Sequence, residues 1–378
     1  MKRVLILTSV ASMIDQFNMP NIRLLQEMGY VVDVACNFKI GNTCSDEKVK
    51  ELERNLKKMG VYCYQIDFAR DIINVWENIK AFWQIEYLLE KNKYEFIHCH
   101  SPIGGVIGRM TGRLKQVKVI YTAHGFHFYK GAPLKNWLVY YPIEKLCSYM
   151  TDILICINRE DYILALKKMK AKKIQYIPGI GIDLGKFGEI SVNPSYKRRE
   201  LAIPDNKLWL LSVGELIKRK NHENLIRAMA EIKDVYLTIA GQGALKKELE
   251  KLIYDLKIDD RVKLIGFRTD ISELCQSADV FVLPSYQEGL SVALMEAMAS
   301  GKPIVCSKIR GNVDLVDEKK GGVMFMPNDV FGCKKALLSV QNMNFKEMGL
   351  YNKKKIQIFS IEHVKRKMEK IYGAMDEF

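Results

Sequence analysis

At 378 residues the chain is too long for one ordinary hydrophobic core, so two domains are expected. Its 48% apolar and 27% charged residues are a globular balance, and no run of about 18 apolar residues is present to form a membrane-spanning helix. The net charge of +14 is spread along the chain; it suits nucleotide phosphates, an acidic membrane surface or a merely soluble basic protein, and no nucleic-acid-binding motif accompanies it.

Nine scattered cysteines, an odd number with no CxxC pair, argue against a disulfide framework and for a reducing, cytoplasmic setting. The opening MKRVLILTSVASMIDQF has an apolar run only from Val4 to Leu7, with Asp15 close behind. It reads as a first strand, Lys2 to Thr8, and not as a signal peptide. A helix from Pro20 to Met28 closes at Gly29, and a strand spans Val31 to Cys36. A charged amphipathic helix from Ser45 to Met59 stops at Gly60. A strand from Val61 to Ile66 precedes a long helix, Ile73 to Glu90. Strands Phe96 to Cys99 and Val117 to Thr122 flank a helix from Gly104 to Leu114. Helix Leu134 to Met150, strand Ile153 to Ile157, helix Glu160 to Met169 and strand Ile174 to Ile177 complete the series. Regular β/α alternation implies a parallel sheet covered on both faces.

Pro178 to Ser195, with four glycines and two prolines, reads as a linker. The alternation then restarts, with strands at Trp209 to Val213, Val235 to Ala240, Val262 to Ile265, Val280 to Leu283, Ile304 to Cys306 and Val323 to Phe325. Ser360 is an N-cap for a last helix whose Ile361, Val364, Met368, Ile371, Tyr372 and Met375 share one stripe. The expected architecture is α/β: two doubly wound domains, residues 1–188 and 189–359, face each other across a hinged cleft, and residues 360–378 cross back toward the first.

Chemistry concentrates in DVFVLPSYQEGLSVALMEAMASGKPIVCS, from Asp279 to Ser307. It reads as strand, loop, a helix from Leu290 to Ser300, and strand. Glu288 lies in the loop, and Glu296 is the polar exception on an otherwise apolar helix. Ligands of open α/β sheets bind at the carboxyl ends of strands, and a buried carboxylate needs donors such as paired sugar hydroxyls. The alternative is that Glu288 is solvated and Glu296 meets a lysine or a backbone amide. In VGELIKRKN, Gly214 permits a tight turn, and Lys218, Arg219 and Lys220 precede a helix near His222; cations beside a helix N-terminus suit a diphosphate, or form a solvated charge run. Ala240-Gly241-Gln242-Gly243 is a weaker phosphate-type loop. Ile265-Gly266-Phe267-Arg268 offers backbone groups to a base.

In the first half, the loop at His124 to Phe128 follows a strand. His124 serves a sugar hydroxyl or a reacting group, or fixes its own loop. His98 and His100 end another strand on the same side. Without a third ligand they do not make a zinc site, and loop-lining roles are preferred. There is no P-loop, no Asp-x-Asp carboxylate clamp and no GxSxG elbow.

Taken together, these segments resemble the retaining glycosyltransferases of family 4, which have the GT-B fold of two Rossmann-like domains. The resemblance covers essentially the whole chain. It rests on the E-x7-E motif from Glu288 to Glu296, on Gly214 with Lys220, on IGFRTDI, on TAHGFHFY and on the terminal helix. It implies a nucleotide sugar, UDP-linked, held by the second domain. Lys220 would neutralise the diphosphate, Glu296 would take the ribose hydroxyls, and Glu288 would contact the donor sugar. Phe267, Gly289, Leu290 and Ser291 would line the donor site, and His124 would lie near the reacting sugar. No metal or other cofactor is implied.

Two features depart from the family's pattern. Glu215 stands where arginine often follows the glycine, so Arg219 or Lys218 must supply the second cation, or the diphosphate site is weaker. The loop Ser9 to Phe17 lacks the paired glycines of many members and resembles a subgroup acting on polyprenyl-diphosphate-linked sugars in surface polysaccharide assembly. That places Ser12, Asp15, His100 and His127 on the acceptor side, a lipid-linked or soluble glycan. The helix with Lys135, Trp137, Tyr140, Tyr141, Lys145 and Tyr149 fits either peripheral association with the cytoplasmic membrane face or an ordinary core. Competing readings are a UDP-sugar 2-epimerase and an inactive nucleotide-sugar-binding subunit.

Overall fold

Both sheets follow from one pattern, short apolar strands alternating with amphipathic helices. The computed structural model describes residues 2–42, 44–69, 74–187 and 193–377. The chain divides into two compact units, one of residues 1–180 with 362–378 and one of residues 181–361. The expected boundary at 188 and 189 and the expected helix start at Ile73 lie outside the described residues.

In the first unit, β1 (Arg3–Val10) leads into α1 (Ala11–Met13), a π-helical turn over Ile14–Asn18, and α2 (Met19–Glu27). Then come β2 (Val31–Asn37), α3 (Asp46–Lys58), β3 (Tyr62–Gln65), α4 (Val75–Lys91) and β4 (Phe96–His100). The series closes with α5 (Pro102–Leu114), β5 (Lys118–Ala123), α6 (Leu134–Ser148), β6 (Ile153–Cys156), α7 (Arg159–Lys168) and β7 (Lys173–Tyr176). All pairings are parallel, in the order β3-β2-β1-β4-β5-β6-β7. Val4, Leu5, Ile6 and Leu7 are fully buried, as in a strand covered on both faces. Helix α5 lies close to the sheet because its glycines leave room: a Cβ at Gly105 would fall 2.4 Å from the Tyr121 ring, and one at Gly108 2.3 Å from the Cys99 sulfur.

The segment expected as a loop, Ser9 to Phe17, is instead strand end and helix. Nothing in it breaks a helix, and Pro20 falls in the first turn of α2, where its missing N–H is tolerated.

In the second unit, α8 (Pro194–Glu200) precedes β8 (Leu208–Val213), α9 (His222–Ala230), β9 (Val235–Ala240), α10 (Lys246–Asp255) and β10 (Val262–Gly266). There follow α11 (Ile271–Ser277), β11 (Val280–Leu283), α12 (Val292–Ala299), β12 (Ile304–Ser307), α13 (Asn312–Leu315), β13 (Gly322–Phe325), α14 (Val330–Val340) and α15 (Phe345–Lys355). The order β10-β9-β8-β11-β12-β13, again parallel, is the doubly wound dinucleotide-binding arrangement.

The last helix, α16 (Ile361–Gly373), joins the first unit after its opening residue. Tyr372 is fully buried and stacks on Phe96, with ring centroids 5.8 Å apart. Lys118 Nζ donates to the Met375 carbonyl at 2.7 Å.

Candidate functional site

In the second sheet the order reverses between β8 and β11, the position where open α/β sheets bind ligands. The loops leaving these strands carry Gly214, Arg219, Lys220 and Glu288. Lys218–Lys220 form one 3-10 turn, and Asn221 follows in the left-handed region at φ 55°. The buried Asn221 side chain donates to the carbonyls of Pro284 at 3.0 Å and Pro327 at 2.8 Å, and Tyr286 N–H donates to the Arg219 carbonyl at 2.9 Å. These bonds bring the two loops together. Lys220 Nζ then sits 2.7 Å from Glu288 Oε1, and an Arg219 guanidinium nitrogen 3.3 Å from Oε2. The stem of Lys220 crosses Gly214, where an added Cβ would lie 3.3 Å from its Cδ.

Glu288 is therefore buried and ion-paired, not solvated. Arg219, not Lys218, is the second cation at it. A third was missed in the sequence: buried Arg310 donates from Nε to the Glu288 carbonyl at 3.3 Å. Its neighbour Gly311, at φ 78°, approaches so closely that a Cβ would fall 2.3 Å from the Gly289 carbonyl oxygen. The run Lys308-Ile-Arg-Gly-Asn312, just past β12, held that signal. Ser291 caps α12, its hydroxyl accepting from Leu294 N–H at 3.3 Å, so Gly289 and Leu290 form the turn into the helix.

Glu296 lies one turn into α12, partly exposed. Among the described residues its carboxylate has no hydrogen-bond partner. Burial pushes it up to about 7 against the opposing pull of Lys186. The lysine or amide expected as the alternative partner does not bond it.

Phe267 stands apart from the ion-paired cluster, 69% exposed after β10. Arg268 beside it is engaged by Asp270 and Glu200, both at 2.6 Å. The glycines of Gly241-Gln242-Gly243 serve packing: a Cβ at Gly241 would fall 1.9 Å from the Gly214 carbonyl oxygen.

In the first sheet the order reverses between β1 and β4. His98 Nδ1 lies 2.9 Å from the Tyr372 hydroxyl and Nε2 2.8 Å from Thr122 Oγ1, so both nitrogens are engaged. His100 Nδ1 lies 3.0 Å from His124 Nε2, and His100 Nε2 is buried with no hydrogen-bond partner among the described residues. Burial pushes His98 down to about 3 and His124 to about 4, and lowers His100 as well, so all three rings are neutral at pH 7. The loop after His124 is fixed by Asp161, whose carboxylate accepts from Phe126 N–H at 2.9 Å and from the Asn158 amide at 2.8 Å.

Of the other acceptor-side residues, His127 lines one cavity together with His124, while Asp15 and Ser12 make contacts of their own. Asp15 pairs with Lys48 at 3.3 Å. Ser12 is buried, its N–H donating to Asn42 Oδ1 at 3.0 Å. His127 stacks on Tyr140, with centroids 4.5 Å apart. Trp137, Tyr140 and Tyr141 turn inward, while Leu134, Leu138, Leu146 and Tyr149 are exposed on α6. Among the described residues no group of three His, Cys, Asp or Glu side chains could hold a metal, and no helix is long and apolar enough to cross a membrane.

Residues 195–355 match the family model described as glycosyl transferases group 1, and residues 3–158 match that of glycosyl transferase 4-like proteins. EpsD of Bacillus subtilis, a protein named as a glycosyltransferase, is 32% identical over 99% of this chain and 97% of its own. The chain belongs to the group 1 glycosyltransferases. This glycosyltransferase is also 33% identical, over 71% of its length and 72% of the relative's, to an Escherichia coli enzyme named UDP-Gal:alpha-D-GlcNAc-diphosphoundecaprenol alpha-1,3-galactosyltransferase. Its fold is GT-B. It is similar to sucrose-phosphate synthase from Thermosynechococcus elongatus, with a TM-score of 0.81 at 19% identity over both whole chains. It is also similar to Anabaena HepE in complex with UDP, with a TM-score of 0.77 at 17% identity over 99% of this chain and 100% of that one.

Proposed function

We propose that this glycosyltransferase moves a hexosyl or N-acetylhexosaminyl unit, with retention of configuration, from a UDP-linked donor to a polyprenyl-diphosphate-linked sugar in surface-glycan synthesis. The observation that carries the reading is the cluster of Lys220, Arg219, Arg310 and Glu288 at the switch point of the second sheet. Three cations on loops tied together by hydrogen bonds suit a diphosphate, and Glu296, an acceptor with no hydrogen-bond partner among the described residues, suits a ribose. The acceptor class is supported by the Escherichia coli relative, whose name specifies a UDP-linked donor and a diphosphoundecaprenol acceptor.

In this reading the second unit holds the donor and the first presents the acceptor. The bond between the sugar's anomeric carbon and the diphosphate oxygen breaks, and UDP leaves with that electron pair. The acceptor hydroxyl attacks the same face, and its proton passes to the departing phosphate oxygen. Lys220, Arg219 and Arg310 stabilise the negative charge that grows on the diphosphate, so no metal is required. Glu288 holds the cations and contacts the donor sugar, while His124 orients the reacting sugar. The enzyme works at the cytoplasmic membrane face, where its acceptor resides.

Thermal unfolding with UDP tests the donor assignment. UDP at 100 times its Kd adds about 2.7 kcal/mol of stability. No change in Tm with any nucleoside diphosphate contradicts it.

A further inference from the structure

The first unit contains a cavity of about 650 Å³ walled by α4, α5 and α6. Its walls are mostly apolar, with Ile79, Phe82, Val106, Ile107, Met110 and Ile143, and Asn78, Tyr121 and Tyr140 add a few polar groups. His124 and His127, from the loop after β5, also line it. Glu144 is already committed: Arg109 donates to its two oxygens at 2.8 and 3.1 Å, and the Tyr121 hydroxyl lies 3.3 Å away. At the rim, α4 exposes Val75, Ile79 and Trp83, and α5 exposes Met110.

A sugar filling this space would lose water and gain few partners along those walls, which disfavours a polar occupant. The volume, about 650 Å³, is that of a small-molecule site, and the cavity opens on one side between the helices. What fits is a flexible hydrocarbon whose polar end reaches His124 and whose remainder leaves over an apolar rim. Clustered exposed apolar side chains such as Val75, Ile79, Trp83 and Met110 suit an interaction surface.

We propose that this cavity takes the isoprenoid chain of the acceptor, the units next to its diphosphate. The inference rests on the lipid-linked acceptor proposed above and adds where the chain is bound. The polar head then lies at the carboxyl ends of β4 and β5, beside Ser101, His124 and His127. The cavity thereby selects acceptors by their lipid as well as their sugar.

The test compares two acceptors bearing the same sugar diphosphate, one on a methyl group and one on a farnesyl chain. The wild-type enzyme is expected to show a KM at least tenfold lower for the farnesyl acceptor. Val106→Phe, which fills the cavity, should collapse that ratio toward one. So should the pair Ile79→Gln with Met110→Gln, at exposed rim positions where folding is not at stake. Equal KM values in the wild type, or an unchanged ratio in both variants, overturn the proposal. If no lipid-linked sugar is glycosylated, the functional reading fails, and tryptophan fluorescence with farnesyl diphosphate then decides the cavity. Saturable quenching that Val106→Phe weakens tenfold supports it. Absent quenching, or quenching unaffected by the variant, overturns it.

Discussion

Lys220 Nζ and Glu288 Oε1 lie 2.7 Å apart, joined across 68 residues of sequence by two loops that meet at the carboxyl ends of β8 and β11. In the proposed function the carboxylate holds the cation in place before the diphosphate arrives, and it also competes with that diphosphate. Lys220→Ala should therefore weaken UDP binding by about 1.5–3 kcal/mol, the range for a charge-assisted hydrogen bond. Glu288→Gln should bind UDP as tightly as the wild type or tighter while transfer falls. Calorimetric titration separates the two, and equal losses in both variants would contradict the assignment.

Glu296 gives a pH signature. Its folded-state pKa, about 7, stands above the ordinary 4.5, so the folded protein holds a proton that the unfolded chain releases. That contribution is complete below pH 4.5 and is lost as pH rises through 7. Glu296→Gln should thus be more stable than the wild type at pH 8, by about 2–3 kcal/mol at most, and nearly equal at pH 4.5, as read by urea unfolding. If ribose hydroxyls donate to the carboxylate, UDP-sugar affinity should rise from pH 6 to 8 in the wild type and stay flat in the glutamine variant.

The His100–His124 pair should act on turnover. His124→Ala is expected to lower kcat about a hundredfold with little change in UDP affinity, the scale of a misplaced reacting group. His100→Gln, which keeps one donor and one acceptor, should lose less. Because burial holds His124 near 4, no limb of the pH–rate profile between 6 and 7 should vanish in His124→Ala. A limb that does vanish would show that this ring titrates during catalysis.

The pair Arg109 and Glu144 is buried, and Arg109 also lies over the Tyr121 ring, 4.0 Å from its centroid. Arg109→Met leaves a buried carboxylate without its partner and should cost about 3–5 kcal/mol by chemical denaturation. A loss below 1 kcal/mol would mean that Glu144 readily finds water.

Much of this architecture was legible in the sequence. Alternating β/α periodicity gave every strand to within a few residues, because strands buried on both faces are unbroken apolar runs such as Val280 to Leu283. Glu288, Gly214 and Lys220 were singled out by their places at strand ends and by the family resemblance, and the structure brings them together. What was not legible depended on contacts between distant segments. Tyr372 looked like one more stripe residue, yet its hydroxyl meets His98. Nothing in the sequence singles out Asp161, yet its carboxylate fixes the loop after His124. The rings of α6 were ambiguous because periodicity does not say which side of a helix meets the core. Trp137 and Tyr141 pack against Phe128, and the aliphatic Leu134, Leu138 and Leu146 are exposed instead.

The most direct test is a transfer assay. The enzyme is incubated with a panel of UDP-hexoses and UDP-N-acetylhexosamines, a polyprenyl-diphosphate-linked sugar and a chelator, and the product is read by mass spectrometry and by the anomeric NMR coupling. The account predicts one added sugar unit in the α configuration from an α-linked donor, with activity unaffected by the chelator. No transfer from any UDP-sugar, or a β-linked product, would contradict it.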